Sequence, residues 1–114
     1  MRRVLLISLC IFALFLTAFV GKASAGNNTY CNMWNVGQQC VTPWNYNWKY
    51  TAHNGGTSGG VIFCEVRYPN GSRGAYSYLP SSSYADFVST SYSRMICTMT
   101  SGPGGFPIAI YSYT

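Results

Sequence analysis

Charge is scarce in this chain. Only 8% of its residues are Asp, Glu, Lys or Arg, and the carboxylate side chains number two, Glu65 and Asp86. Histidine occurs once, as His53. These shortages exclude much catalytic chemistry. A glycosidase of the usual kind needs two carboxylates flanking one bond, and Glu65 is better matched to Arg67, two residues on along the same strand face. A Ser-His-Asp set can be drawn from His53, Asp86 and any of many serines, but no motif positions the nucleophile. No C-x-x-C occurs, and a single histidine does not complete a zinc set. The expectation is therefore a protein that is not an enzyme, without metal or cofactor, in which His53 is a polar loop residue.

A helical apolar period with caps is also missing. The one long apolar run, Val4 to Val20, is interrupted only by Ser8, Cys10 and Thr17. Arg2 and Arg3 precede it, and Ala23-Ser24-Ala25 follows it. That is the pattern of a secretory signal peptide with an A-x-A cleavage site. At 17 residues the run is short of the roughly 20 that a membrane anchor needs. Residues 1–25 are expected to be removed, Cys10 with them, leaving 89 of the 114 residues as a single domain that is secreted and has no membrane attachment.

The formal charge of +5 shrinks on this reading. Arg2, Arg3 and Lys22 go with the signal. Lys49, Arg67, Arg73 and Arg94 against Glu65 and Asp86 leave +2. Four scattered cations are a poor footprint for nucleic acid, so none is expected as a partner. The surface is instead neutral and rich in hydroxyls, of the kind that meets sugars, cell surfaces or other proteins.

What the remaining chain does hold is cysteine, aromatics and turn residues. A domain of this size has a marginal core. Four cysteines, Cys31, Cys40, Cys64 and Cys97, remain after cleavage and read as two disulfides. Of the three possible pairings, Cys31–Cys40 with Cys64–Cys97 is expected. The first clips a local loop. The second joins two segments that both read as strands and would staple two sheets. Loop-closure entropy gives about 2.7 kcal/mol for the first and about 3.8 kcal/mol for the second.

Strand signals recur along the chain. Trp44, Tyr46, Trp48 and Tyr50 alternate with polar residues, which places four aromatics on one face of one strand. A Gly-rich loop is expected over 53–60. Val61 to Tyr68 is a strand with Ile62, Cys64 and Val66 on one face and Phe63, Glu65 and Arg67 on the other. Asn70-Gly71 between strand-like runs is a hairpin signal, and Ala75 to Leu79 is the return. Tyr84 to Val88 reads as a short strand or a helical turn. Tyr92 to Thr100 points Met95, Cys97 and Met99 inward, and Phe106 to Tyr113 is the last strand. Five or six short strands separated by turns make an all-β chain, a small antiparallel sandwich or barrel.

Trp48-Lys49-Tyr50, the polar Asn54-Gly55 loop, the strand ending in Tyr68, the hairpin and the return from Tyr76 to Pro80 resemble the tendamistat-type α-amylase inhibitors. That resemblance implies a secreted two-disulfide β-sandwich presenting an aromatic-basic-aromatic triplet on a turn that enters an enzyme cleft. Two features depart from the family: Lys49 stands for its Arg, and Cys31 and Cys40 both precede the triplet instead of bracketing it.

Three classes of function remain open on the residues alone. The first is a non-catalytic binding domain, taking glycan or a cell surface through Trp44, Tyr46, Trp48, Lys49 and Tyr50. Flat rings stack on the apolar faces of sugars, and the same rings anchor protein interfaces. The second is an enzyme inhibitor or toxin that docks a protein. The third is a structural envelope protein without a discrete ligand, in which the rings are core. A monomer is expected in each case.

Overall fold

The computed structural model describes residues 28–114. The signal segment, its cleavage point after Ala25 and Cys10 lie outside the described residues. Nine strands are present: β1 (Asn28–Met33), β2 (Gln39–Val41), β3 (Asn45–Tyr46), β4 (Lys49–Asn54), β5 (Val61–Arg67), β6 (Arg73–Leu79), β7 (Ser83–Val88), β8 (Tyr92–Ser101) and β9 (Phe106–Tyr113). They form two antiparallel sheets, and there is no helix among the described residues. The first sheet has the order β1-β9-β4-β7. The second has the order β2-β8-β5-β6, with β3 also paired to β8.

The core lies between the sheets and follows the two-residue period of each strand. Strand β5 buries Ile62, Cys64 and Val66 and turns Val61, Phe63 and Arg67 outward. Strand β8 buries Met95, Cys97 and Met99 opposite them. Tyr50, Ala52, Phe87, Ile108 and Ile110 come from the first sheet. Few leucines are available, so methionine and aromatic side chains fill the interior.

Several expectations are corrected. The strands number nine because Asn28–Met33 and Gln39–Val41, short and poor in β-branched residues, gave little signal. His53 lies in strand β4, exposed, and not in a loop. Residues Ser83–Val88 are extended, which removes the helical alternative. The expected Asn70-Gly71 hairpin is present, with a five-residue connection, 68–72. Gly71 at its tip has φ +88° and donates its N–H to the Tyr68 carbonyl at 2.9 Å.

Both disulfides have the expected pairing, but their roles are exchanged. Cys64 and Cys97 face each other across β5 and β8, so that bridge ties neighbouring strands of one sheet. Cys31 belongs to β1 and Cys40 to β2, so the short-range bridge is the one that staples the two sheets. A sequence separation of nine suffices for the chain to pass from one layer to the other.

Candidate functional site

The expected single strand over 44–50 is two strands in two sheets. Asn45 and Tyr46 pair with Ser93 and Tyr92 of β8, in the second sheet. Lys49 onward pairs with β7 and β9, in the first. Asn47 and Trp48 carry the chain across the end of the sandwich. Backbone hydrogen bonds hold the crossing: the Trp48 N–H donates to the Tyr113 carbonyl at 3.0 Å, and the Ser89 N–H to the Trp48 carbonyl at 3.0 Å.

This crossing separates the four aromatics. Tyr50 is fully buried in the core. Trp44 is half-buried, stacked on Tyr92 at 5.8 Å between ring centres and 13° between planes. Tyr46 and Trp48 are exposed, by 72% and 55%. Trp48, Lys49 and Tyr50 thus do not project together. The Lys49 ammonium instead lies over the Trp48 ring at 5.3 Å and the Tyr113 ring at 4.6 Å.

Below the crossing is a buried polar cluster. Asn47, only 4% exposed, donates its Nδ2 to the Tyr50 hydroxyl at 3.0 Å. That hydroxyl bonds Ser93 Oγ at 2.9 Å, which bonds Ser89 Oγ at 2.7 Å. The Oδ1 of Asn47 has no partner among the described residues. A buried acceptor left unmatched costs about 1–3 kcal/mol, and such a group needs a reason.

Above the cluster the surface is concave. One depression of about 210 Å³ is lined by Tyr46, Asn47, Trp48, Ser89, Thr90 and Ser91. A second, of about 430 Å³, runs from the same Thr90 and Ser91 to Tyr68, Pro69, Asn70 and Ser72 of the hairpin. The two share a ridge of hydroxyl-bearing residues with an aromatic on each side. Tyr68 is fixed in place. Its hydrogen bond with the Thr90 hydroxyl, at 3.3 Å, is the main cause of a phenol pKa below the usual 10; partial burial opposes the shift and the Thr90 backbone N–H, also at 3.3 Å, reinforces it. Gly74 leaves room for the Tyr68 ring, since a Cβ there would stand 3.0 Å from it.

The sparse titratable groups do not converge. Glu65 is on the outer face of the second sheet, bound by Arg67 and Arg73. Asp86 is on the outer face of the first, accepting from the Thr51 hydroxyl at 2.6 Å. Among the described residues no group of three or more His, Cys, Asp or Glu could hold a metal ion. A further depression of about 250 Å³ beside Cys31, walled by Tyr30 and His53, has few polar groups.

Sequence reasoning missed Tyr68, Tyr92, Tyr113 and the 89–91 loop as parts of a surface. The outward positions of Tyr92 and Arg94 could be read from the alternation of β8. Their meeting with Trp44 could not, because it depends on β3 pairing with β8.

No protein-family model matches the chain, and no curated protein is similar to it in sequence. Solved structures share its fold. The SPBc2 prophage-derived protein YomS superposes with a TM-score of 0.57 at 12% identity, covering 75% of this chain and 92% of its own. PirA does so with a TM-score of 0.51 at 11% identity, covering 81% and 98%. CsCBM6-3 from Clostridium stercorarium, solved in complex with cellobiose, reaches a TM-score of 0.39 at 12% identity, over 80% and 89%. At these identities the likeness of YomS and PirA is one of fold alone, and that of CsCBM6-3 is too slight to build on. The chain is a two-disulfide, all-β sandwich of the architecture seen in YomS and PirA.

Proposed function

We propose that the chain is a secreted, non-catalytic binding domain that takes carbohydrate at the end of the sandwich where the chain crosses between sheets. The observation that carries this reading is the pair of exposed rings, Tyr46 and Trp48, lining one depression together with the hydroxyl-bearing Ser89, Thr90 and Ser91 and with Asn47, whose side-chain Oδ1 is buried and unmatched. Rings supply flat apolar area at small entropy cost, and fixed polar groups set orientation. The depression is smaller than the roughly 300 Å³ of a site that encloses a drug-sized ligand. It suits one sugar ring, with a chain continuing over the Thr90–Ser91 ridge towards Tyr68. Two disulfides and a leading apolar run agree with an oxidising, extracellular setting.

The test is affinity electrophoresis of the oxidised protein through gels containing soluble polysaccharides, with Trp48→Ala beside the wild type. Retardation by a polysaccharide that Trp48→Ala abolishes, with an unchanged melting temperature, supports the reading. Retardation that survives the substitution, or none with any polysaccharide, overturns it.

A further inference from the structure

The few charges of this protein are sorted between its two faces. Lys49 and Asp86 lie on the outer face of the first sheet and cancel. Arg94, Arg67 and Arg73 lie on the outer face of the second, with Glu65 as the one carboxylate there. Among the described residues, the net charge of +2 therefore sits on one face.

The three arginines form a row. Arg67 is in register with Arg94 of β8 on one side and Arg73 of β6 on the other. Adjacent strands lie about 4.8 Å apart, so the row spans roughly 10 Å. The row is also held. Glu65, tucked beneath it with its side chain 9% exposed, accepts from Arg67 Nε at 3.1 Å and Arg73 Nε at 2.8 Å. Arg73 lies over the Tyr76 ring at 4.8 Å, and Arg94 over the Trp44 ring at 4.5 Å. One carboxylate cannot occupy three guanidinium forks. Arg94 makes no side-chain hydrogen bond among the described residues, and its Nε is buried without a partner. A guanidinium presents five N–H donors in a planar fork that matches carboxylate, sulfate and phosphate.

The row connects to the candidate site through aromatic contacts: Arg94 lies over Trp44, Trp44 stacks on Tyr92, and Tyr92 meets Tyr46, which lines the smaller depression, at 4.8 Å. Arg67 precedes Tyr68 and Arg73 follows Ser72, and both Tyr68 and Ser72 line the larger depression. Arg94 is three residues beyond Ser91 on the shared ridge. From this juxtaposition we infer that the ligand is an acidic glycan, a sugar chain bearing carboxylate or sulfate groups. Its rings lie against Trp48, Tyr46 and Tyr68, and its anionic groups meet Arg94, Arg67 and Arg73. The inference deepens the carbohydrate reading and rests on it. A polynucleotide is the less favoured polyanion, because three cations neutralise few phosphates and a disulfide-bonded domain belongs to an oxidising compartment.

The experiment is titration of the oxidised protein, as produced by export, with four polymers: polygalacturonate, the same polymer methyl-esterified, dextran sulfate and single-stranded DNA. Arg73→Gln, Arg94→Gln, Arg94→Lys and Trp48→Ala are measured alongside, each with its melting temperature. Polygalacturonate is expected to bind about tenfold more tightly than its neutral ester, and each Gln variant to lose about tenfold with folding intact. Arg94→Lys should recover only part, since it keeps the charge without the fork. Raising NaCl from about 0.01 to about 0.15 M shortens the screening length from about 30 to about 8 Å and should weaken the acidic polymer alone. Dextran sulfate bound in preference to the uronate keeps the inference and assigns sulfate as the anion. Equal binding of polymer and ester, unmoved by the arginine variants, overturns the inference and leaves the carbohydrate reading standing. Binding lost in the arginine variants but untouched by Trp48→Ala places an anion site on this face and overturns the aromatic reading instead. DNA bound as tightly as the uronate overturns the assignment to a glycan, as does failure to bind any of the four.

Discussion

The Tyr50 hydroxyl of β4 meets the Ser93 hydroxyl of β8 at 2.9 Å, a hydrogen bond made from one sheet to the other across the buried end of the sandwich. Asn47 and Ser89 extend it on either side. Tyr50→Phe removes the oxygen shared by Asn47 and Ser93 and leaves the Asn47 amide N–H unmatched. The expected cost is about 1–3 kcal/mol of stability. Trp48→Ala, two residues earlier and exposed, should change stability by less than about 1 kcal/mol. Denaturant melts of both variants check the pair. Equal destabilisation would show Trp48 to be structural.

The two disulfides should open in order. Cys31 is half-buried and lines the depression walled by Tyr30 and His53, whereas Cys64 and Cys97 are fully buried. Exchange requires a thiolate to reach a sulfur. Partial reduction followed by alkylation and peptide mapping should label Cys31 and Cys40 first. Labelling of Cys64 and Cys97 ahead of them would contradict the burial described above.

Tyr68 should be among the first tyrosines to ionise on raising the pH. Its phenol pKa is lowered, mainly by the Thr90 hydroxyl. The folded state thus holds this proton less tightly than the unfolded chain does. The stability it contributes is fully present above the unfolded value near 10 and is lost as pH falls through the lower folded value. Absorbance titration at the phenolate band should show an early component that Tyr68→Phe deletes. An unchanged curve in that variant would refute the assignment.

Gly60→Ala tests the packing at the opposite end. A Cβ on Gly60 would overlap the Phe106 ring, itself buried in the core, while the Gly60 carbonyl accepts from Asn54 Nδ2 at 2.9 Å. Overpacking of this kind costs about 1–3 kcal/mol. A melting temperature equal to that of the wild type would mean the ring moves aside freely.

The division of labour between sequence and space is clear in particular residues. The period of two in β5 and β8 placed Ile62, Cys64, Val66, Met95 and Met99 inward, and the structure buries all of them. Asn70-Gly71 marked the hairpin. The Glu65–Arg67 pairing was legible because both ends lie on one strand face. What pattern cannot carry is which strand lies beside which. The aromatic alternation over 44–50 looks continuous in one dimension, yet the chain changes sheets within it. The inter-sheet role of Cys31–Cys40 likewise depends on β1 and β2, which local propensity scarcely marks. The arginine row arises only from the registers of β5 with β6 and β8, the former shifted by an irregularity between Glu65 and Arg67.

The covalent tie between the layers has a mechanical consequence. Cys31 lies in β1 opposite Ile108, which is itself opposite Asn54, and Lys49 and Tyr113 form the far end of the same sheet. Five residues of strand, roughly 17 Å, separate the clamp from the crossing. At the crossing the layers are joined by the chain itself, through 47–48 and 89–91, and by buried polar contacts, among them Tyr50 to Ser93. The sandwich is therefore restrained at both ends, by a side-chain clamp within the strands at the disulfide and by connecting segments at the mouth where Tyr46, Trp48 and Tyr68 stand, so the mouth loosens only as far as 47–48 and 89–91 allow. A sugar chain lying from Trp48 to Tyr68 would act as a latch across that mouth. Amide exchange at 89–93 would then slow on ligation, while exchange near Cys31 stays as it was.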